Sequence, residues 1–548
     1  MFNLAVISEA IAAAIPEREC IVFRDRRLTW SVVNERTRRL ANYLAGRGLG
    51  CHRERAQLAN HESGQDHLGL YLYNGNEYLE GMLGAFKARV APFNVNYRYV
   101  EDELLYLLED SDCRALIYHS RFAPMVEKIR ARLPKLEVLL QVADETGNPL
   151  LPGAVDYEDA LRASSAKQLD AGLSADDLYI LYTGGTTGMP KGVLWRQADI
   201  FFGALGGSQA NGFRHESIES IVTGAKNGGA RTLPAPPFMH GAAHWMAFTA
   251  FHGGGTVVVQ SDPGHLDPDD IWSTVEREKI NFMTIVGDAF GRPLLDQLAK
   301  KSYDLSEFRT ILSGGAILTP SLKEEFLERV PHLMIIDGFG ASESGGQGQQ
   351  ITMKGMKASS GNFQMNDQTI VLRYDLGERV EPGSEETGWL ARTGYVPLGY
   401  YGDAEKTAKT FPVVAGVRYA VPGDHARISA DGGIAVLGRG SVSINSGGEK
   451  IYPEEVEKAL KHHAAVYDAV VVGTPNDRFG QQVTAVIQLR PGEHPDREDL
   501  VEQCAQHLAR YKLPKAVVFV DQMVRSPSGK PDYRWAKKTA YEALGLKE

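Results

Sequence analysis

The run Tyr182-Thr183-Gly184-Gly185-Thr186-Thr187-Gly188-Met189-Pro190-Lys191-Gly192 is built for an anion. Glycine lets a backbone turn tightly and aim its N–H groups at phosphate oxygens. Thr183, Thr186 and Thr187 add hydroxyl donors, and Lys191 adds a mobile positive charge to meet a polyphosphate. The spacing is not that of a Walker A loop, because Pro190 precedes Lys191 and no Ser or Thr follows it. A P-loop kinase or GTPase is therefore disfavoured. His240 and His244 stand i, i+4, as on a zinc helix, but Gly241-Ala242-Ala243 between them supplies no glutamate, so zinc is not expected. The chain has no GxSxG elbow and no Cys/His pair at a known signature, so a covalent protein nucleophile is not expected either.

The 182–192 run resembles the phosphate-binding signature of the adenylate-forming superfamily, which comprises acyl-CoA synthetases, nonribosomal-peptide adenylation domains and beetle luciferases. Other stretches extend the resemblance over nearly the whole chain. Gly338-Phe339-Gly340-Ala341-Ser342-Glu343 resembles the segment that sets an aromatic on adenine, a hydroxyl on phosphate and a carboxylate on Mg²⁺. That implies Phe339, Ser342 and Glu343 in those roles, with Ser342 in place of the usual Thr; Mg²⁺ suits a carboxylate plus phosphate oxygens. Ser313-Gly314-Gly315-Ala316 resembles the small-residue stretch beside adenine. Gly423-Asp424 and Gly438-Arg439 resemble the pair on the ribose hydroxyls, where a carboxylate accepts and a guanidinium donates. The run Ser446–Glu457 resembles the lining of the pantetheine tunnel, which points to Gly447 and Gly448. Ser526-Pro527-Ser528-Gly529-Lys530-Pro531-Asp532 resembles the C-terminal catalytic loop, whose lysine is Lys530. Pro236-Pro237-Phe238-Met239-His240-Gly241 resembles the acyl-site gate, and the acid pocket would also take in Gly287, Ala341 and Gly345. Read singly, Glu343, Asp424 and Lys530 are ordinary turn or solvated residues; their order together gives them roles.

The resemblance implies an ATP-dependent ligase using ATP, Mg²⁺ and coenzyme A. A carboxylate would attack the α-phosphate, pyrophosphate would leave, and a thiol would then take the acyl group. Lys530, Lys191, Thr186 and Glu343 would serve adenylation; Thr183, Gly184, Gly185, Thr187 and Gly188 would cradle phosphate. The family presents its small domain in two orientations, one bringing in Lys530 and the other the Gly447–Gly448 segment. Many relatives carry an Asp hinge two residues after the arginine, whereas this chain has Ser441. Within the superfamily, Asn94–Glu101, Leu181–Trp195, Gly438–Glu457 and Ser526–Lys537 look most like actinobacterial acyl-CoA synthetases of sterol side-chain catabolism. The Gly- and Ala-rich pocket segments favour a long or bulky hydrophobic acid, steroid side-chain or fatty. An aryl or arylalkanoic acid, and a stand-alone adenylation enzyme loading a carrier protein, stay open; a luciferase-like oxygenase is compatible with the fold.

These residues need rigid elements to hold them. The pattern predicts helices at 29–47, 76–88, 99–110, 268–279 and 319–330. Strands are predicted at Ala115–Tyr118, Asp177–Tyr182, Thr256–Gln260, Phe282–Val286, Thr310–Leu312 and Met334–Ile336. Such alternation argues for an α/β fold with a largely parallel sheet. Residues 142–177 read as a polar connection. After about residue 387 short strand-like pieces suggest a β-rich subdomain, and from 440 a compact α+β unit follows. The expected architecture is a large α/β N-terminal domain with a β-rich subdomain (1–439) and a small mobile α+β C-terminal domain (440–548).

Composition sets the outer limits. Hydrophobic residues at 43% and charged residues at 23% rule out disorder over most of the 548 residues. With 59 Lys+Arg against 69 Asp+Glu, a net charge of -10 and no long basic run, nucleic acid is a poor partner. The partner expected is a small carboxylic acid; a homodimer is left open. Cys20, Cys51, Cys113 and Cys504 lie far apart without a CxxC pair, which fits a reducing cytoplasm. The first residues lack a basic start and Glu9 interrupts them, so an amphipathic helix ending near Pro16 is expected rather than a secretion signal. No uncharged apolar stretch reaches the roughly 18 residues of a membrane span.

Overall fold

The computed structural model describes residues 1–548 apart from 184–188, 209–211, 440–441, 447–448, 477–479, 527–528 and 547–548. Local chemistry starts the helices. Asn3 accepts from the N–H groups of Ala5 and Val6 to cap Leu4–Ala14. Asp267 caps Pro268–Glu278, with Pro268 at the first position where a missing N–H costs nothing.

Two sheets carry the large part of the chain. In the first, Ala91–Asn94, His67–Tyr71, Cys113–His119, Val138–Val142 and Val155–Asp156 lie side by side, all parallel. Alternate residues feed two cores: Leu68, Leu70 and Ile117 enter one, and Tyr71, Leu116 and Tyr118 the other. In the second, Glu19–Phe23, Thr256–Val259, Arg231–Pro234, Phe282–Ile285, Thr310–Gly314 and Met334–Ala341 are parallel neighbours. The sheet then turns antiparallel at Gly345–Thr352 and runs on through Asn362–Met365, Ile434–Arg439, Asp424–Ile428, Gly388–Arg392 and Thr369–Leu372.

The β-rich region therefore begins at Gly345, not after 387, and is continuous with the α/β sheet. Its first strand, GGQGQQIT, carries no alternating apolar pattern and takes its conformation from its pairing with Met334–Ala341. The connection 142–177 also holds more structure than expected: the edge strand Val155–Asp156 and the helix Tyr157–Arg162. A third small sheet pairs Leu178–Thr183, Lys191–Arg196 and Gly399–Tyr400.

From Ile444 onward the chain makes its own sheet. Glu449–Ile451, Ile444–Ser446, Gly480–Leu489 and Val466–Asn476 are antiparallel neighbours, and Ala516–Val520 runs parallel to Gly480–Leu489. Ala469 and Val471 face one core with Val456 and Leu460; Val470 and Val472 face another with Ala536 and Ala540. Those alanines belong to the helix Tyr533–Ala543, which follows the polar 526–532 loop. No helix among the described residues is long and apolar enough to cross a membrane.

Candidate active site

The glycine- and threonine-rich run closes a hairpin. Leu178–Thr183 and Lys191–Arg196 pair antiparallel down to Thr183 opposite Lys191. Thr183 and Lys191 thus stand at the mouth of the turn; Gly184, Gly185, Thr186, Thr187 and Gly188 lie outside the described residues. The Lys191 ammonium sits over the Tyr400 ring, 5.2 Å from its centroid. The Tyr400 hydroxyl donates to Glu343 Oε1 at 2.9 Å. One aromatic ring therefore joins the lysine of the first motif to the carboxylate of the second. It arrives because Gly399 pairs with Leu194 and Tyr400 with Val193. Partial burial, with Lys406 nearby, holds the Lys191 ammonium below its ordinary pKa, opposed by Asp403 and Glu343.

Glu343 lies in the turn between the strands Met334–Ala341 and Gly345–Thr352, and the turn is tightly held. Ser344 N donates to Ala341 O at 3.1 Å, Ala341 N to Ser344 Oγ at 3.2 Å, and Trp195 Nε1 to Ser342 O at 2.9 Å. Gly340 has no room for a side chain, since a Cβ there would lie 2.3 Å from Gly345 O. Behind the turn, buried Arg392 donates through Nη1 to Gly203 O (3.1 Å), Ser344 O (2.6 Å) and Gly346 O (2.6 Å), and through Nη2 to Gln368 Oε1 (3.0 Å). Among the described residues no carboxylate pairs with it, and burial pushes its guanidinium down to about 10. Gly345, expected in the acid pocket, sits in this clamp: a Cβ would meet Gly203 O at 2.5 Å and Arg392 Nη1 at 2.8 Å. Arg392→Met strips three carbonyls of a donor. At about 1–3 kcal/mol for a buried polar group left unmet, it is expected to lower unfolding stability by at least roughly 2 kcal/mol, measured by denaturant titration.

The expected adenine and ribose residues gather around the same sheet. Gly314 pairs with Gly338 in parallel register, which lays Gly315-Ala316 beside Gly338-Phe339. Phe339 packs against Phe363 with ring centroids 5.4 Å apart. Gly287, at φ 51°, donates its N–H to Ser313 Oγ at 3.1 Å and approaches Ile317 O so closely that a Cβ would lie 2.4 Å from it. Lys530 reaches the same place from the other end of the chain: its Cε lies 3.4 Å from where a Gly315 Cβ would be. Its loop is closed by Ser526 N to Lys530 O (2.9 Å) and Gly529 N to Ser526 O (2.8 Å). Buried Gly529 leans on Val286 and Phe290. Asp424, buried, stands opposite Arg439 on paired strands. Gly447 and Gly448 lie outside the described residues, as does Ser441; the strands Ile444–Ser446 and Glu449–Ile451 flank the two glycines.

On the acid side, His240 precedes the helix Gly241–His252. Two asparagines hold its segment. Asn74 Nδ2 donates to Pro236 O at 3.0 Å and its Oδ1 accepts from Phe238 N. Asn94 Nδ2 donates to Met239 O (2.7 Å) and Tyr182 O (2.8 Å), while its Oδ1 accepts from Tyr182 N (2.8 Å). Asn94 thus ties the end of the strand Leu178–Thr183 to Met239. His244 is explained by packing: its Nε2 meets the Tyr179 hydroxyl and its Nδ1 meets Phe238 O, in a buried site. Tyr400 and Arg392 lie in no motif, and Asn94 counted only as part of the Asn94–Glu101 stretch, so sequence reasoning gave none of them a role.

Glu343 is a sound partner for a Mg²⁺ that travels with phosphate. One of its oxygens bonds Tyr400, and Lys191 is close. Among the described residues no three His, Cys, Asp or Glu side chains gather into a protein cage. Phosphate and water would supply the remaining ligands, as Mg²⁺ commonly accepts.

Lys191 and Glu343 meet through Tyr400, and Lys530 reaches Gly315, the juxtaposition expected of a nucleotide-dependent adenylating enzyme. The comparisons agree. Residues 8–401 match the model of the AMP-binding enzyme family, and 455–530 match that of the AMP-binding enzyme C-terminal domain. The chain belongs to the AMP-binding enzyme family. It is 54% identical to the medium-chain acyl-CoA ligase Mig of Mycobacterium avium, covering 98% of each chain. It is 42% identical to the 3-oxocholest-4-en-26-oate–CoA ligase of Rhodococcus rhodochrous, covering 98% of this chain and 95% of that one. Its fold is similar to the crystal structure of the anthranilate CoA ligase AuaEII with anthranoyl-AMP: TM-score 0.82, 24% identity, 100% of this chain and 98% of that one.

Proposed function

We propose that this ATP-dependent, AMP-forming acyl-CoA ligase acts on a medium- to long-chain fatty acid or a steroid side-chain acid, with residues 1–439 binding ATP and acid and residues 440–548 delivering Lys530 and the Gly447–Gly448 segment. The meeting of Lys191, Tyr400 and Glu343 at one point, with Lys530 beside Gly315, carries the reading. The substrate carboxylate attacks the α-phosphorus, a P–O bond to the acid forms, and the bond to pyrophosphate breaks. Charge builds on the phosphate oxygens, and Lys191, Lys530 and the Thr183, Thr186 and Thr187 hydroxyls would offset it. Bound Mg²⁺, held by Glu343, would neutralise phosphate charge. Phe339, Gly315 and Ala316 flank adenine; Asp424 and Arg439 take the ribose. The coenzyme A thiol, entering along Gly447 and Gly448, then attacks the acyl carbon and AMP leaves.

The acid enters between His240 and Gly287, Ala341 and Gly345. Gly241-Ala242-Ala243 opens the helix with small residues. The similarity to ligases named for medium-chain and steroid acids favours these over aryl acids. Pyrophosphate release across fatty, steroidal and aryl acids, each with and without coenzyme A, tests this. Turnover is expected on the first two classes and to need coenzyme A; preference for aryl acids, or thioester formed only on a carrier protein, would contradict it.

Tyr400→Phe removes a hydrogen bond to a charged group, worth roughly 1.5–3 kcal/mol. Steady-state assay is expected to show kcat down about 10-fold or more, with folding intact.

A further inference from the structure

We propose that Lys461 is a positioning residue for adenylation, linking the docking of the 444–548 unit to the shape of the Lys530 loop. The geometry is a continuous chain of contacts. Lys461 follows the helix Pro453–Leu460. Its ammonium lies 3.3 Å from Asp288 Oδ2 and 3.1 Å from Asp468 Oδ1. Asp468 in turn accepts from Arg525 Nε at 2.6 Å and from Arg525 Nη2. Arg525 Nη1 then donates to Gly529 O at 3.1 Å, one residue before Lys530. At the far end, Asp288 Oδ1 accepts from Thr319 N at 2.8 Å, and Asp288 N donates to Ile317 O at 3.0 Å. The chain therefore runs from the turn beside Gly315-Ala316 across to the loop that lays Lys530 on Gly315.

Two observations argue against mere stability. The Lys461, Asp288 and Asp468 side chains are only 10%, 9% and 10% exposed. Burying such charges costs desolvation that their attraction does little more than repay, and the best-attested gain is a fixed register. Within the 444–548 unit, Asp468 and buried Glu457 face the cations Lys461 and Arg525, and Asp288 adds a carboxylate that reaches Lys461 from the large part of the chain. Lys458, on the same helix, donates to Ser360 O at 2.9 Å and adds a second point across this junction. Undocking would break the Lys461–Asp288 contact and leave Lys461 to draw on Asp468 alone, the carboxylate that holds Arg525 and through it Gly529 O, so the loop's grip and the docked position are coupled.

The proposal rests on Lys530 as the adenylation lysine, and its test separates the two. Acyl-adenylate formation and thioester formation from supplied acyl-adenylate are measured separately for the full-length Lys461→Met, Lys461→Arg and Lys530→Ala variants. Misplacing a catalytic group by about 1 Å costs on the order of 10²-fold. Lys461→Met is expected to lower kcat for adenylation by roughly 10- to 100-fold, to leave KM for ATP and the thioester step near wild type, and to be partly restored in Lys461→Arg. Adenylation unchanged in Lys461→Met, or both steps falling together in a folded protein, would overturn it. Should Lys461→Met fail to fold, Asp288→Asn, which keeps the side chain's shape, is read by the same two outcomes. Lys530→Ala retaining adenylation would sink the site reading and the proposal with it; Lys530→Ala inactive beside a normal Lys461→Met would sink the proposal alone.

Discussion

Lys530→Ala is expected to lose on the order of 10²–10³ in acyl-adenylate formation, the typical loss when a donor aimed at transition-state charge is removed. Lys530 comes from the end of the chain and rests on Gly315, a residue whose φ of 83° and missing side chain leave a path for the lysine's methylenes. Lys530 is exposed, and its loop is closed through backbone atoms and the Ser526 hydroxyl. Folding is therefore expected to be unaffected. Thioester formation from supplied acyl-adenylate should survive, because the phosphate charge has already been discharged. Single-turnover assays of each step check this; equal losses in both would contradict the division of labour.

Glu343→Gln is expected to cut adenylation by a similar factor, on the order of 10²–10³, and to raise the Mg²⁺ concentration needed for half-maximal rate. The amide keeps the shape and can still meet the Tyr400 hydroxyl, but it lacks the charge that holds a divalent ion and faces Lys191. Because Ser342 and Ser344 fix the turn through Trp195 and Ala341, the substitution should leave the hairpin in place. A Mg²⁺ titration of pyrophosphate release separates the two effects; an unchanged Mg²⁺ requirement would remove Glu343 from that role.

The parts of this site that were legible in sequence are those whose chemistry is local. A glycine–threonine loop carrying Lys191 announces itself within eleven residues. Tyr400 could not be read this way. It matters only because Gly399–Tyr400 joins the sheet beside Val193–Leu194, some two hundred residues earlier in the chain. Arg392 and Asn94 likewise act through carbonyls that only the folded chain brings together. The strand Gly345–Thr352 was missed because glycine and glutamine carry no periodic signal. The helix Tyr533–Ala543 was missed because Ala536 and Ala540 are its buried contacts amid polar neighbours.

The most direct test of the central claim, that these segments converge on one ATP to make a mixed anhydride, is isotope exchange. Purified enzyme with Mg²⁺, ATP, labelled pyrophosphate and a fatty or steroidal acid, without coenzyme A, is expected to move label into ATP only when the acid is present. Exchange absent with every acid in a broad library, or independent of acid, would contradict it.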